Sequence, residues 1–346
     1  MAPRSTARRA VSEAATLLEV RDLRVEFRSG LETVHAVNGA TFDVRAGETA
    51  AILGESGCGK SVTAAAIMRL LPQPPARITA GEIRFDGESV LTMSRPRWRQ
   101  IAGRRIGMVF QDALSSLNPV FSVGWQIAEA FRVHGEASRA ERRRRAIELL
   151  DRVGISGAAT RVDHFPHQFS GGMRQRVMIA MAVALGPSLL IADEPTTALD
   201  VTIQAQIMDL LASLRAEYGM AMVLISHDLG VVSEVADRVA VMYAGRVVES
   251  GPTREVLRRP SHPYTLALLR SVPGGKSKAQ KLHPIVGSPP DLARMPVGCA
   301  FHPRCEMARE ICTRVAPPCT VVEGASGATR TVECHFAAEV ASGRVA

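Results

Sequence analysis

Apolar and polar positions follow two different periods along this chain. Residues 17–44 alternate apolar or β-branched positions with polar ones on either side of a turn at 28–30, which predicts antiparallel β-strands. Residues 48–53 form a largely apolar run that enters a glycine-rich loop, and residues 61–71 have helical spacing up to Pro72. The chain is therefore expected to begin with a β-hairpin and to continue as strand, loop and helix.

Predicted strands and helices alternate through the middle of the chain. Short runs at 83–87, 106–110, 189–192 and 221–225 predict strands, and residues 201–218 predict a helix between the last two. Helical spacing over 117–153 predicts a helical insertion. Strands that alternate with helices are typical of a largely parallel sheet, so we expect an α/β fold.

The composition changes after Gly251-Pro252, where proline, polar and basic residues become frequent. Residues 274–278 are interpreted as a flexible connector, which places a boundary between 255 and 285. Residues 1–15 carry arginines but no continuous apolar segment, so we expect a disordered tail rather than a secretory signal. The expected division is a disordered tail at 1–16, a main domain at 17–255 with a helical subdomain at about 113–166, and a C-terminal region at 256–346.

Length and charge limit the possible classes of function. The 346 residues allow one large domain of about 250 residues and a smaller appendage. Apolar stretches fall far short of the ~20 residues that span a bilayer, so we expect a soluble chain. The net charge of +8 is compatible with nucleic acid or an anionic membrane surface. Because aromatic residues are only 4% and the basic run 142–145 lies in a helix-like segment, a solvated helix face is favoured.

The phosphate loop, residues 54–61, has the pattern G-x-x-x-x-G-K-S between a predicted strand and a predicted helix. Its glycines let backbone amides approach phosphates, and the following helix directs its N-terminus at the anion. Lys60 is expected to reach the β- and γ-phosphates, and the Ser61 hydroxyl to bind Mg²⁺. A glycine-rich turn without function is the alternative, which the flanking strand and helix disfavour.

Two carboxylates follow the predicted strand 189–192, as in a Walker B segment. Asp193 is expected to bind Mg²⁺ through water, and Glu194 to act as the general base that polarises the attacking water. An acidic turn after a strand is common. The pair therefore indicates this chemistry only together with the phosphate loop.

The segment 169–176 lies between these two motifs and resembles the signature motif of ABC ATPases. In that family the signature serine and glycines cap the γ-phosphate held by the opposite subunit, which implies this role for Ser170, Gly171 and Gly172. The sequence departs from the common Leu-Ser-Gly-Gly-Gln at Phe169 and Met173. We expect activity to survive both changes, because neither position supplies the hydroxyl or the amides.

Further positions match the family's nucleotide site in the same order. Gln111 resembles the glutamine that contacts Mg²⁺ or water, and His227 resembles the switch histidine at the γ-phosphate. Residues 198–200 resemble the family's D-loop, in which Asp200 is the aspartate. Phe27 matches the aromatic residue that stacks on adenine, with a core position as the alternative. The implied catalytic residues are Glu194, His227 and Gln111. The implied nucleotide-binding residues are Phe27, Gly54, Glu55, Ser56, Gly57, Cys58, Gly59, Lys60, Ser61, Val62, Gln111, Ser170, Gly171, Gly172, Asp193 and Asp200, of which Ser61, Gln111 and Asp193 would bind Mg²⁺.

Three stretches are similar to one branch of this family, the ATP-binding subunits of oligopeptide, dipeptide and nickel importers. They are residues 111–119, 262–265 and 298–305. The resemblance implies a P-loop NTPase of the ABC type, with a RecA-like parallel sheet core, an antiparallel β subdomain, a helical subdomain and a small cysteine-rich C-terminal region. It implies pairing with a second ABC ATPase beneath two permease subunits fed by an extracytoplasmic peptide-binding protein, and hence a peripheral position on the cytoplasmic face of the inner membrane. Peptide import is the expected function, and nickel import is the alternative.

Five of the six cysteines lie in the last fifty residues. Cys299, Cys305, Cys312 and Cys334 have the spacing C-x5-C-x6-C-x21-C, with Cys319 as an extra. In a reducing cytosol such a group favours a metal site over disulfides. Zinc and iron–sulfur clusters both accept four cysteines, and free thiols are a third alternative. The family resemblance implies a [4Fe-4S] cluster.

Two other classes of protein are less compatible with the sequence. Soluble ABC ATPases that act on nucleic acid or ribosomes usually carry two cassettes or a long coiled-coil insertion, and this chain shows neither. We therefore expect no nucleic-acid partner. A metal-sensing regulator built around the cysteines would leave the ATPase motifs without a role.

Overall fold

The computed structural model describes residues 15–30, 32–135, 137–197, 199–271, 284–323 and 329–343. The strands are β1 Thr16–Ser29, β2 Glu32–Arg45, β3 Thr49–Leu53, β4 Ala76–Phe85, β5 Glu88–Ser89, β6 Ile106–Val109, β7 Leu189–Asp193, β8 Ala221–Ser226, β9 Arg238–Tyr243, β10 Arg246–Pro252, β11 Cys319–Glu323 and β12 Thr329–Glu333. The helices are α1 Lys60–Ile67, α2 Arg95–Ile101, α3 Ala113–Ser116, α4 Val123–Val133, α5 Arg139–Arg152, α6 Ala158–Arg161, α7 Gly171–Val183, α8 Val201–Tyr218, α9 Leu229–Val235, α10 Thr253–Arg258, α11 Pro263–Ser271, α12 Glu310–Arg314 and α13 Ala337–Ala341. Short 3₁₀ turns occupy Pro166–Gln168 and His302–Arg304.

An antiparallel sheet of four strands has the order β2-β1-β4-β5. The first two strands form the predicted hairpin, in which Val25 lies opposite Val37 and both side chains are buried. Alternating apolar positions give this sheet one buried face, as the period of two requires. The predicted hairpin is therefore confirmed.

The larger sheet has eight strands in the order β11-β12-β10-β9-β3-β8-β7-β6. The run from β9 through β6 is parallel. Strands β3, β7 and β8 are buried along their whole length, as expected for parallel strands covered on both faces. Because β3, β8 and β7 are neighbours, the loops that follow them meet at one edge of the sheet. The predicted α/β fold with a largely parallel core is confirmed.

The C-terminal region adds strands to the same sheet. Strand β12 pairs with β10, and β11 pairs with β12, all antiparallel. Tyr243 from β9, Tyr264 from α11 and Phe301 from the C-terminal region pack in one buried aromatic cluster. The boundary between 255 and 285 stays a prediction. The interpreted connector at 274–278 and most of the predicted disordered tail lie outside the described residues.

Two predicted element boundaries were wrong. The helix predicted over 61–71 ends at Ile67, and Arg69 adopts a left-handed backbone with φ of 56°, which an α-helix cannot continue through. Strand β4 begins at Ala76, seven residues before the predicted start, because it pairs along the length of β1. The helical insertion is confirmed, and Gly135 with φ of 71° separates α4 from α5.

The basic run lies on α5, where acidic partners face it. Arg143 is paired with Asp163 at 2.6 Å, and Arg144 and Arg145 are paired with Glu141 at 2.6 and 3.0 Å. These contacts confirm a solvated, ion-paired helix face. Within the described ranges, no helix is both long and apolar enough to cross a membrane.

Candidate active site

The phosphate loop connects β3 to α1 in a conformation that needs glycine. A Cβ added to Gly54 would lie 2.2 Å from the carbonyl oxygen of Met242, and one added to Gly59 would lie 2.4 Å from that of Ala36. Gly59, with φ of 104°, also precedes the first residue of α1. These close approaches fix the loop against β2 and β9, so its glycines serve packing as well as phosphate access.

Lys60 begins α1, and its side chain is buried. Its ammonium group donates hydrogen bonds to the carbonyl oxygens of Gly54 and Glu55, each at 2.9 Å. It also lies 3.9 Å from a carboxylate oxygen of Glu194. The lysine therefore lies between the loop and Glu194, which follows β7.

Ser61 and Asp193 form the next contact along the sheet edge. The Ser61 hydroxyl donates to Oδ1 of Asp193 at 3.0 Å. Burial raises the pKa of the Asp193 carboxyl above its usual value, and the hydrogen bond from Ser61 opposes that shift. A hydroxyl beside a carboxylate is the kind of oxygen pair that Mg²⁺ prefers, so these residues fit the ion.

Glu194 is contacted by three polar side chains at one oxygen. Its Oε2 accepts from Gln111 Nε2 at 3.2 Å and from the Thr197 hydroxyl at 2.9 Å, and His227 Nδ1 lies 3.4 Å away. Glu194 also has a left-handed backbone with φ of 44°. Such strain is found most often at functional sites, because the surrounding structure must maintain it.

One surface cleft collects nine of the eighteen residues predicted for the nucleotide site. It is lined by Ala36, Ser56, Gly57, Gly59, Lys60, Ser61, Val62, Gln111, Glu194 and His227. The four motifs that supply these side chains come from widely separated parts of the sequence. The cleft therefore brings the phosphate loop together with Gln111, predicted to bind Mg²⁺, and with Glu194, predicted to be the base, an arrangement that ATP hydrolysis requires.

Cys58 of the phosphate loop and Phe27 of β1 do not line the cleft. Cys58 is buried, and burial raises the pKa of its thiol. Phe27 is half-buried and packs against the hydrophobic core beneath the antiparallel sheet, which fits the core alternative. It does not line the cleft, and its contact with adenine stays a prediction.

Ser170, Gly171, Gly172 and Asp200 do not line the cleft either. Ser170 is exposed and caps α7, its hydroxyl accepting from the Met173 amide at 3.4 Å. Asp200 caps α8 in the same way through the Ile203 amide, at 3.0 Å. Both helix N-termini are thus open to solvent at positions that another subunit could contact.

Four of the C-terminal cysteines surround a second, smaller cavity. Cys299, Cys305, Cys312 and Cys334 line it together with three histidines, His262, His302 and His335. Burial raises the pKa of Cys299, and it raises the pKa values of Cys305 and Cys334 to about 11, with neighbouring thiols adding to each shift. Cys319 is exposed on β11 and is absent from the lining. In the part of the chain that the structure describes, no group of three or more His, Cys, Asp or Glu side chains is placed to hold a metal ion.

Comparison with known proteins identifies the family. A protein of Brucella melitensis, whose name describes a peptide import ATP-binding protein, is 52% identical over 313 residues, which cover 87% of this chain and 93% of the relative. The ABC transporter family matches residues 37–197. The chain belongs to the ABC transporter ATP-binding proteins. The family described as "Oligopeptide/dipeptide transporter, C-terminal region" matches residues 248–312 and assigns the oligopeptide/dipeptide branch.

Other relatives of this ABC protein agree. A second protein of the same naming, from Brucella abortus, is 50% identical over 90% of this chain and 94% of the relative. The dimeric ATP-binding cassette MJ0796 bound to ADP and phosphate has a TM-score of 0.62 at 30% identity and covers 69% of this chain and 99% of its own. The structure of cbiO1 from Clostridium perfringens, part of the transporter complex cbiONQ, has a TM-score of 0.59 at 31% identity over 70% and 91% of the two chains.

Sequence reasoning missed several contacts at the nucleotide site of this ABC protein, among them those of Thr197 and Arg304. Thr197 holds Glu194, although a threonine three residues after a carboxylate gives no distinctive signal. Glu55 is bound by Arg304 from the C-terminal region, with guanidinium–carboxylate distances of 2.7 and 3.0 Å. That contact joins residues 249 positions apart, so no local pattern could indicate it.

Proposed function

We propose that this chain binds and hydrolyses ATP to drive the import of oligopeptides or dipeptides through an ABC transporter. The observation that carries the proposal is the cleft in which Lys60, Ser61 and Glu194 lie together. The relatives named as peptide import ATP-binding proteins favour peptides over nickel as cargo. They also favour a transporter subunit over an ATPase that acts on nucleic acid.

In the proposed reaction each side chain has one task. Lys60 stabilises charge on the β- and γ-phosphates. Ser61 and Asp193 would hold Mg²⁺, which when bound would neutralise charge on the transferred phosphoryl group. Glu194 accepts a proton from the attacking water, and Gln111 and His227 orient the Glu194 carboxylate and the γ-phosphate. Most of the rate acceleration would come from positioning and charge stabilisation.

The proposed site is completed by a second ATP-binding subunit. Ser170, Gly171 and Gly172 lie outside the cleft, which supports their predicted action on ATP held by the partner. MJ0796, a structural relative, is dimeric. We propose that the pair works beneath two permease subunits, peripherally on the cytoplasmic face of the inner membrane, with an extracytoplasmic binding protein delivering the peptide.

We also propose that Cys299, Cys305, Cys312 and Cys334 hold a [4Fe-4S] cluster. All four line one cavity, which supports a shared ligand. Common zinc sites use short C-x2-C pairs, which the spacing of these cysteines lacks, so the spacing favours the cluster over zinc. Bound iron would keep the thiols deprotonated despite their burial.

Peptide uptake in the native cell tests the proposed function. The gene is deleted and replaced with the wild type, with Glu194→Gln, or with Glu234→Gln as a matched control, since Glu234 is an exposed carboxylate on α9. Uptake of a labelled dipeptide and a labelled oligopeptide should be lost in the deletion and restored by the wild type and the control, but not by Glu194→Gln. Unchanged uptake of both peptides together with reduced nickel uptake would replace the proposal with nickel import.

A further inference from the structure

Glu55, the second residue of the phosphate loop, is held by the C-terminal region. Both nitrogens at the end of the Arg304 guanidinium donate to its carboxylate, at 2.7 and 3.0 Å. The Arg304 side chain is only 4% exposed, whereas that of Glu55 is 26% exposed. A planar, two-point contact of this kind fixes orientation as well as distance, because both hydrogen bonds constrain the same carboxylate.

The backbone of Glu55 is held from the same side. Its amide donates to the hydroxyl of Tyr264 at 3.0 Å, and Tyr264 is fully buried on α11. Arg304 also lies 3.4 Å from the Tyr243 hydroxyl and faces the Tyr243 ring. The side chain and the main chain of Glu55 are therefore both fixed by residues that lie outside the ATPase motifs.

The position of Glu55 bears directly on Lys60. The Lys60 ammonium donates to the carbonyl oxygens of Glu55 and Gly54, at 2.9 Å each. A shift of the Glu55 peptide changes where the ammonium group is held and how the neighbouring amides are directed. Phosphate binding depends on the position of the Lys60 ammonium group and on the direction of the neighbouring amides. The geometry at Glu55 therefore affects how strongly the loop binds ATP.

We propose that Arg304 and Tyr264 are positioning residues for ATP binding, through which the C-terminal region sets the conformation of the phosphate loop. This inference rests on the proposed nucleotide site. It gives the C-terminal region a role in nucleotide affinity that acts within one chain. The role is separate from peptide recognition and from contact with the membrane subunits.

The cysteine-lined cavity is connected to the same contact. The 3₁₀ turn His302–Arg304 lies between Cys299 and Cys305, two residues that line the cavity. Phe301, also in the lining, packs against Tyr264 with ring centroids 5.4 Å apart. Arg304 is therefore anchored through the segment that carries the thiols. Thermodynamic linkage makes this coupling reciprocal. If the ordered segment strengthens ATP binding, then bound ATP stabilises the ordered segment by the same free energy.

Calorimetric titration of the purified full chain with Mg-ATP tests the proposal. Glu55→Gln keeps the size of the side chain but removes its charge, and Tyr264→Phe removes only the hydroxyl that accepts from the Glu55 amide. Coupling between sites is commonly worth 5- to 150-fold, and we expect each variant to weaken ATP binding about tenfold. In the assembled transporter the KM for ATP should rise by a similar factor while kcat changes by less than about twofold.

Arg304→Lys and Glu339→Gln complete the set. Lysine retains the charge without the two-point contact, so Arg304→Lys should fall between the wild type and Glu55→Gln in ATP affinity. Glu339 is exposed and pairs with Arg309 elsewhere in the C-terminal region, so Glu339→Gln should bind ATP like the wild type. Affinities equal to that of the wild type in both Glu55→Gln and Tyr264→Phe would overturn the proposal.

Amide hydrogen exchange supplies a readout that a merely structural role would not change. In the wild type, ATP should slow exchange across residues 299–305, and in Glu55→Gln this effect of ATP should be lost while the chain stays folded. Unaltered ATP protection in Glu55→Gln would overturn the coupling. If instead the wild type binds no ATP, the proposed nucleotide site fails, which is a distinguishable result.

Discussion

The Ser61 hydroxyl lies 3.0 Å from a carboxylate oxygen of Asp193, although 132 positions separate the two residues. Ser61 lies on α1, which follows β3, and Asp193 is the last residue of β7. Strands β3 and β7 lie on either side of β8, and all three run in the same direction. The residues that follow these strands therefore meet at the same edge. The order of strands, rather than any local feature, brings these two predicted Mg²⁺ ligands together.

Ser61→Ala should lower Mg²⁺-dependent ATP hydrolysis by roughly a hundredfold, because it removes a ligand to the ion that stabilises the transition state. Binding of ATP in excess EDTA should change little, since that measurement does not involve the ion. Ser233→Ala is the matched control, since this serine on α9 is exposed and its hydroxyl donates to the nearby carbonyl oxygen of Gly230. Equal turnover in Ser61→Ala and the wild type at low Mg²⁺ would contradict the assignment.

Much of this fold follows from short-range patterns. The hairpin of β1 and β2 and the buried strands β3, β7 and β8 lie where apolar periodicity predicts them, and α8 has the predicted limits. The end of α1 could not be predicted in this way, because Arg69 has a left-handed backbone that no local sequence pattern indicates. Element limits of this kind depend on tertiary packing, which competes with local preference.

The candidate site divides in the same way. The order of motifs predicted Lys60, Ser61, Gln111, Glu194 and His227, and the cleft contains all five. Thr197, Tyr264 and Arg304 were missed because their importance comes from contacts across the fold. A sequence pattern identifies residues that belong to a motif of fixed spacing. Positioning residues act through contacts between distant parts of the chain, so they are identified from the structure.

Glu194→Gln should reduce ATP turnover by roughly a hundredfold or more, because glutamine cannot accept a proton from water. ATP affinity should be retained, since the amide preserves size and can still contact Gln111 and Thr197. Single-turnover hydrolysis together with calorimetric binding separates the two effects. Turnover that matches Glu234→Gln would show that another group activates the water.

Ser170→Ala should impair the assembled transporter while the isolated chain binds ATP normally. The reason is that Ser170 lies outside the chain's own cleft and is predicted to act on nucleotide in the partner. The same hydroxyl caps α7, and loss of such a cap costs about 1 kcal/mol, so thermal melting must accompany the assay. Ser138→Ala, which removes the equivalent cap of α5, is the matched control. A higher Kd for ATP in isolated Ser170→Ala than in Ser138→Ala would show that Ser170 contacts the ATP bound to its own chain.

Cys334→Ser should lose bound iron, whereas Cys319→Ser should retain it. Cys334 lines the cavity with three other thiols, but Cys319 is exposed on β11 beside Glu333 and Arg246.

Protein isolated without air should contain iron and sulfide in equal amounts and absorb visible light. Both signals should fall together in Cys334→Ser. Stoichiometric zinc without sulfide would show a zinc site instead of the cluster. Wild-type protein that contains no metal, and whose cysteines all react with a thiol reagent, would contradict both metal sites. Because Cys319→Ser removes a thiol from the same region without touching the cavity, it separates loss of a ligand from general disturbance of the C-terminal region.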